Sequence, residues 1–250
     1  MGKIGFIILH YNAIEETEKC IESIHKMKSQ GDIVILIVDN ASPNKSGTLL
    51  KKKYRDCDNV EVLLRQNNDG FSVGNNDGYI YIKEKWDLDF LVVANNDVEF
   101  IQEDFIERIQ EEYERSAFDV LGPDVLNPIT EIHQSPIGTN PPDRKRVMCT
   151  IMINRLLLIL YPFVYLLIKE YFDYCDNAQN SLEYERVQED VCLLGACLIY
   201  SKKYIERKYK LFEPETTFYY EEYIQALWCR KYKKKVVYQP RIQVWHWERK

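Results

Sequence analysis

The sequence is poor in glycine and proline, with 10 and 9 residues in 250, which excludes collagen-like and low-complexity chains. It has no basic excess. Lys and Arg number 33 against 39 Asp and Glu, a formal net charge of −6, so binding to nucleic acid through phosphate neutralisation is not expected. The seven cysteines (Cys20, Cys57, Cys149, Cys175, Cys192, Cys197, Cys229) form no C-x-x-C pair, and only 4 His accompany them. Neither a disulfide framework nor a zinc site is indicated. No secretory leader is read where Met1-Gly2-Lys3 runs straight into an apolar stretch, so cytoplasmic residence with reduced thiols is the expectation. The G-x-G-x-x-G, G-x-x-x-x-G-K-[ST], H-E-x-x-H and G-x-S-x-G patterns are also missing, which argues against a Rossmann dehydrogenase, a P-loop enzyme and a serine hydrolase.

What is present is a globular composition: 46% hydrophobic residues, with 18 Tyr and 10 Phe for core and stacking surfaces. Four short apolar runs, Ile4 to Leu9, Ile33 to Val38, Val60 to Leu64 and Phe90 to Ala94, are each followed by a polar cluster and then a helical pattern. Such alternation predicts an α/β fold, a mostly parallel sheet flanked by helices, with ligands gathering at the carboxyl ends of the strands. His10, Asp39, Asn68 and Asp97 stand at or near those ends. One crevice could collect all four, although Asx residues after strands also make turns and helix caps. Farther on, Leu194 to Tyr200 reads as a strand, Phe218 to Tyr232 as a helix bearing Glu221 and Glu222, and Val236 to Tyr238 and Ile242 to Trp245 as two short strands around Pro240. No repeat or Gly/Ser linker divides the chain. A single domain over 1–250 is expected, with halves at 1–122 and 123–250.

In order along the chain, "FIILHYN", "ILIVDNAS", "NDGFSVGNNDG", "VVANNDV", "LLGACLIY", "FYYEE" and "VVYQPRIQVWH" resemble the inverting family 2 glycosyltransferases of the GT-A (nucleotide-diphospho-sugar transferase) fold, nearest to their rhamnosyltransferase-like branch. The resemblance runs from Ile4 to His246 and implies transfer of a sugar from a nucleotide diphosphate donor. Such a reaction must grip the nucleoside, neutralise a diphosphate and deprotonate an acceptor hydroxyl. By resemblance, Asp39 with Asn40 holds the base or ribose, though an Asp ahead of Pro43 can equally form a turn. His10, Tyr11 and Asn12 line the same side. The loop bearing Asn68, Gly70, Phe71 and Asn75 lies beside the nucleotide, where glycines permit close backbone approach; turn-forming glycines would account for it too.

Asn95-Asn96-Asp97 stands at the family's D-x-D metal motif, of which only the last acid is kept. The implied cofactor is Mg²⁺ or Mn²⁺, held by Asp97, diphosphate oxygens and water, with His246 as a further contact. A His packed between Trp245 and Trp247 is the alternative. Glu221 and Glu222 stand where the family has its Glu-Asp pair, and Glu222 is assigned as base with Glu221 as neighbour. Adjacent carboxylates on a helix point in different directions, and first-turn acids also suit the helix dipole. Glu replaces the family's Asp, and Ile224 replaces a further acid. Asp190, Gly195 and Ala196, with the "LNPITEIHQSP" stretch after Gly122-Pro123, match acceptor-side segments; Asp190 can equally be a cap.

The implied partners are a dTDP-, UDP- or GDP-linked sugar and a glycan or polyprenyl-linked glycan acceptor in bacterial surface polysaccharide synthesis, with no nucleic acid. The apolar run Leu156 to Ile168 would reach only ~20 Å as a helix against a hydrocarbon core of ~30 Å. It does not span. Flanked by Arg144, Lys145, Arg146, Arg155 and Lys169, the segment 144–169 suits peripheral contact with an inner membrane face, and core packing or a homodimer contact suits it as well. Two other functions fit in part: a non-catalytic nucleotide-sugar-binding subunit and a nucleotidyltransferase, the latter disfavoured by His10-Tyr11-Asn12-Ala13 in place of a Gly-rich basic loop.

Overall fold

The computed structural model describes residues 2–28, 32–138, 148–149, 152, 184–217 and 219–247. The first four aliphatic runs form β1 (Lys3–His10), β2 (Ile33–Asp39), β3 (Val60–Leu64) and β4 (Leu88–Asn95). After them come α1 (Ile14–His25), α2 (Ser46–Lys53), α3 (Phe71–Lys85) and, past a two-residue strand β5 (Val98–Glu99), α4 (Phe105–Ser116). The remaining elements are β6 (Val120–Leu126), β7 (Gln188–Glu189), β8 (Cys197–Ser201), α5 (Lys202–Ile205), α6 (Glu221–Lys231) and β9 (Val236–His246).

The sheet order is β3-β2-β1-β4-β8-β6-β9-β5, with β7 beside β9. β1 to β4 pair in parallel, and β6 pairs in parallel with β9. β8 runs antiparallel between β4 and β6. The expected sheet flanked by helices is present, and its central reversal makes it mixed. Side chains alternate between two cores: Ile4, Phe6 and Ile8 of β1 face one, with Ile35 and Ile37 of β2, while Ile7, Val34, Leu36 and Val38 face the other. Because both faces are covered, the strands are aliphatic throughout rather than alternating with polar residues.

Three expected boundaries are corrected. The segments expected as two strands around Pro240 are one strand, β9, whose register against β6 jumps from Pro123↔Gln239 to Asp124↔Gln243. Both prolines sit at this irregularity, where a missing N–H costs no ladder bond. The helix expected from Phe218 begins at Glu221, because Tyr219 and Tyr220 hold positive φ of 67° and 70°. The strand expected from Leu194 begins at Cys197, since the N–H groups of Leu194 and Gly195 are turned to the side chains of Ser135 and Glu222. The boundary expected between 122 and 123 falls inside β6.

Among the described residues no helix is long and apolar enough to cross a membrane. The segment 144–169 lies outside the described residues except for Met148, Cys149 and Met152, which are exposed.

Helix α3 lies close on the sheet because of Gly78, where a Cβ would stand 2.7 Å from Val38 Cγ2 and 3.2 Å from Ile7 Cγ2. Replacing Gly78 by Val is expected to cost about 1–3 kcal/mol through overpacking. At ~2–4 °C per kcal/mol for a chain of this size, the thermal midpoint falls by several degrees; an unchanged midpoint would show that α3 does not depend on this approach.

Candidate active site

The carboxyl ends of the parallel strands make one edge. In register, His10 lies opposite Asp39 and Leu9 opposite Asn95. The antiparallel β8 brings its amino end to the same edge: Ala94 pairs with Cys197, and the Asn95 N–H donates to the Ala196 carbonyl at 3.0 Å. Asp39, Asn95, Gly195 and Ala196 thus share one rim. β5 and β9 complete it, because Val98 pairs with His246.

That pairing sets His246 Nε2 3.3 Å from Asp97 Oδ1. The Gln134 Oε1 accepts a bond from His246 Nδ1 at 2.8 Å, which leaves Nε2 as the nitrogen turned to the carboxylate. Two electron-rich atoms directed at each other call for a cation or a proton between them. Among the described residues no three His, Cys, Asp or Glu side chains cluster as a metal site. Two protein ligands nonetheless fit a divalent ion that takes its other oxygens from a diphosphate and water.

His10 is placed inward. It is fully buried, with Nδ1 2.6 Å from Thr17 Oγ1 and Nε2 2.7 Å from Ser46 Oγ. The Thr17 hydroxyl donates to the Ala13 carbonyl, so its oxygen accepts from His10 Nδ1–H, and Ser46 donates to Nε2. Burial lowers the His10 pKa, opposed in part by Asp39 and Glu16, consistent with a neutral ring. Thr17 Oγ1 also accepts from Asn96 Nδ2 at 3.1 Å. His10 therefore supports the loop bearing Asp97 from beneath.

Asp39 is 6% exposed and accepts bonds from the Ser42 N–H and hydroxyl. Beside it Asn40 donates from Nδ2 to Asn68 Oδ1 at 2.8 Å and to the Gly70 carbonyl. Arg65 was not anticipated. Its side chain is 8% exposed and donates to Asp77 at 2.7 Å, to Asp69 at 3.0 Å, to the Asn67 carbonyl and to Asn40 Oδ1, fixing the loop between β3 and α3 against the end of β2. The only sequence signal was a basic residue at a strand end followed by acids. Gly70 has φ of 95°, and a Cβ there would lie 2.0 Å from the Thr217 carbonyl oxygen, so this glycine serves contact with the protein's own backbone. Phe71 donates its N–H to that carbonyl and packs edge-on against Phe212. Tyr11 is 44% exposed at the rim. Among the described residues, the buried Oδ1 atoms of Asn12 and Asn75 have no hydrogen-bond partner.

The two acids of α6 diverge. Glu222 is half-buried, and its Oε1 accepts from the Gly195 N–H at 3.3 Å, on the rim. Glu221 is buried, accepts from Thr216 Oγ1 and lines a cavity of about 10 Å³ with Lys208, Gln225 and Trp228. Burial raises its pKa, with Glu222 adding to the shift and bonds from its own backbone and Thr216 opposing it. Asp190 is not brought to the rim. It is exposed, with φ of 55°, and its N–H donates to the Val236 carbonyl at the opposite end of β9.

The family model described as glycosyl transferase family 2 matches residues 6–174, more than half of the chain. Among solved structures, the chain is similar to TarS 1-349 of S. aureus, with a TM-score of 0.59 at 12% identity, covering 98% of this chain and 60% of that one. It is also similar to the mannosyltransferase PcManGT of Pyrobaculum calidifontis, solved with GDP-Man and Mn²⁺, with a TM-score of 0.63 at 9% identity, covering 99% and 57%. The chain spans less than two thirds of either structure, and at these identities the likeness is one of fold. No curated protein matches the sequence.

A His whose pKa is lowered in the fold takes up a proton more readily once unfolded, so its contribution to stability is lost as pH falls below about 6.5 toward its folded pKa. Between pH 7 and pH 5 the melting temperature of the wild type is expected to fall more steeply than that of His10→Gln. Parallel pH profiles would contradict the buried neutral ring.

Proposed function

The chain belongs to glycosyl transferase family 2, and on that premise we propose that it moves a glycosyl group from a nucleoside-diphosphate sugar to an alcohol in a single inverting displacement. The observation that carries this reading is the convergence on one rim of three chemically different groups: Asp39 with its Asn40 support, the Asp97–His246 pair, and Glu222 held by the Gly195 N–H. Asp39 and Asn40 take the nucleoside, and the loop from Asn68 to Asn75 closes beside it. The first half of the chain supplies the donor side, and the second half brings Glu222 and His246.

Glu222 stands with one oxygen already bonded to a backbone N–H, which fixes its carboxylate without neutralising it. Its second oxygen takes the proton of the acceptor hydroxyl as that oxygen bonds to the anomeric carbon and the bond to the diphosphate breaks. General-base assistance of this kind contributes about 10²–10⁴ in rate. Asp97 and His246 would hold a divalent cation, which when bound draws charge from the departing diphosphate; the mannosyltransferase with its GDP-Man and Mn²⁺ supports that choice of partner. Glu221 is turned into the small cavity beside Thr216, away from the Gly195 N–H that holds the base.

The sugar is read as rhamnose, on a dTDP, UDP or GDP carrier, from the rhamnosyltransferase-like order of motifs. A glycan or polyprenyl-linked glycan of a bacterial surface is the acceptor class that this branch implies, with segment 144–169 as the side that meets a membrane.

Thermal shift with UDP, GDP, dTDP and CMP, each with and without Mn²⁺, tests the donor side. A nucleotide at 100 times its dissociation constant stabilises by ~2.7 kcal/mol, several degrees here. One nucleoside diphosphate is expected to act in a Mn²⁺-dependent manner, and Asp97→Asn to remove the Mn²⁺-dependent part. Glu222→Gln should leave the shift intact and lower release of nucleoside diphosphate from the cognate sugar donor by about 10²-fold or more. An unaltered shift in Asp97→Asn, or full turnover in Glu222→Gln with loss in Glu221→Gln, contradicts the assignments. A shift without turnover of any donor would favour a sugar-nucleotide-binding subunit.

A further inference from the structure

Between the loop at Gly70 and the base candidate Glu222 the chain passes through Thr217, Tyr219 and Tyr220. Thr217 is tied to the donor side, since its carbonyl accepts the Phe71 N–H at 2.8 Å and lies against Gly70. Tyr220 caps α6, whose first turn bears Glu222. The two tyrosines therefore occupy the seam between donor loop and base, where an acceptor must sit for its hydroxyl to reach both.

Their state is unusual in two independent ways. Both have positive φ, a backbone conformation uncommon for residues with bulky side chains, so the chain forgoes an easier conformation here. Both rings are also left in solvent, 79% and 70% exposed, whereas large aromatics ordinarily bury most of their surface. Tyr223, one turn into α6, stands with its ring 6.4 Å from that of Tyr220. Tyr223 directly follows Glu222 in the first turn of α6, so this pair stands beside the base candidate. Strain that leads to exposure instead of burial points to a ligand that covers the rings.

We propose that Tyr219 and Tyr220 form an acceptor platform on which a pyranose ring of a neutral glycan stacks through its C–H face, with its hydroxyls left for Glu222. The occupant follows from the chemistry: flat, electron-rich faces with a phenolic edge match a sugar, which is apolar on one face and hydroxylated at its rim. Neither ring carries charge for an anionic partner. This inference rests on the glycosyl-transfer reading and supplies its acceptor subsite.

Saturation-transfer NMR with methyl glycosides of glucose, galactose, mannose, N-acetylglucosamine and rhamnose at millimolar concentration tests it, alongside the nucleotide thermal shift. At least one glycoside should bind the wild-type protein, with its ring C–H protons most strongly saturated. The double variant Tyr219→Asn plus Tyr220→Asn tolerates the left-handed backbone and removes the rings; it should bind about tenfold more weakly, the size of one strong aromatic contact, with the nucleotide shift unchanged. Tyr219→Phe plus Tyr220→Phe should keep most of the affinity. Absence of binding by the wild type, equal binding by the Asn variant, or loss in the Phe variant as large as in the Asn variant overturns the platform. Glycoside binding through the tyrosines in a protein that no nucleotide stabilises would uphold the platform and sink the transfer reading instead.

Discussion

Pairing of a two-residue strand with the last residues of a long one is the constraint on which the site depends. Val98 opposite His246 and Glu99 opposite Trp245, with the Trp247 N–H donating to the Asp97 carbonyl at 3.0 Å, join the loop after β4 to the end of β9 and set His246 beside Asp97. Backbone hydrogen bonds in this short ladder thus decide whether two electron-rich atoms face each other across 3.3 Å. Around that pair the structure spends many buried polar contacts on support: Gln134 bonds His246 Nδ1, and His10 reaches Asn96 through Thr17. Such groups never meet a substrate, yet they fix the atoms that would.

A second constraint is the separation of two identical side chains by environment. Glu221 and Glu222 are neighbours in sequence, and the turn of α6 sends one into a small cavity and the other to the Gly195 N–H. Burial raises the pKa of Glu221, which bonds Thr216 while Glu222 alone bonds the Gly195 N–H on the rim. Divergent environments are how one helix start can hold a carboxylate for proton removal beside another kept for structure. The left-handed tyrosines that delay the helix to Glu221 are part of the same arrangement, because they put both acids in its first turn.

Much of this was legible in the chain. The four aliphatic runs became β1 to β4 within two residues at each end, because strands covered on both faces must be apolar throughout, and the polar residues after them do gather at one rim. Asp97 and His246 were paired from family resemblance and stand together. Periodicity could not show the direction of a side chain: His10 was read toward the ligand and is turned into the core, since two hydroxyls, Thr17 and Ser46, wait there. Asp190 is expected on the acceptor side and sits at the far end of β9, because the β7–β9 pairing and its bond to the Val236 carbonyl are long-range contacts with no local signal. Arg65 went unread for a similar reason, as its partners come from a loop and a helix that only the folded chain brings together. The single β9 was hidden by Pro240, which marks a break unless a bulge absorbs it.

The central claim is that Asp97 and His246 hold a cation against a nucleoside diphosphate while Glu222 faces the same space. Anomalous diffraction at the manganese edge, from crystals grown with Mn²⁺ and the nucleoside diphosphate that stabilises the protein, tests it most directly. The account predicts one anomalous peak in contact with the Asp97 carboxylate and His246 Nε2, with diphosphate oxygens completing its shell and Glu222 across the open side. A diphosphate bound on the rim with the manganese elsewhere, or a nucleotide seated away from Asp39, would contradict it.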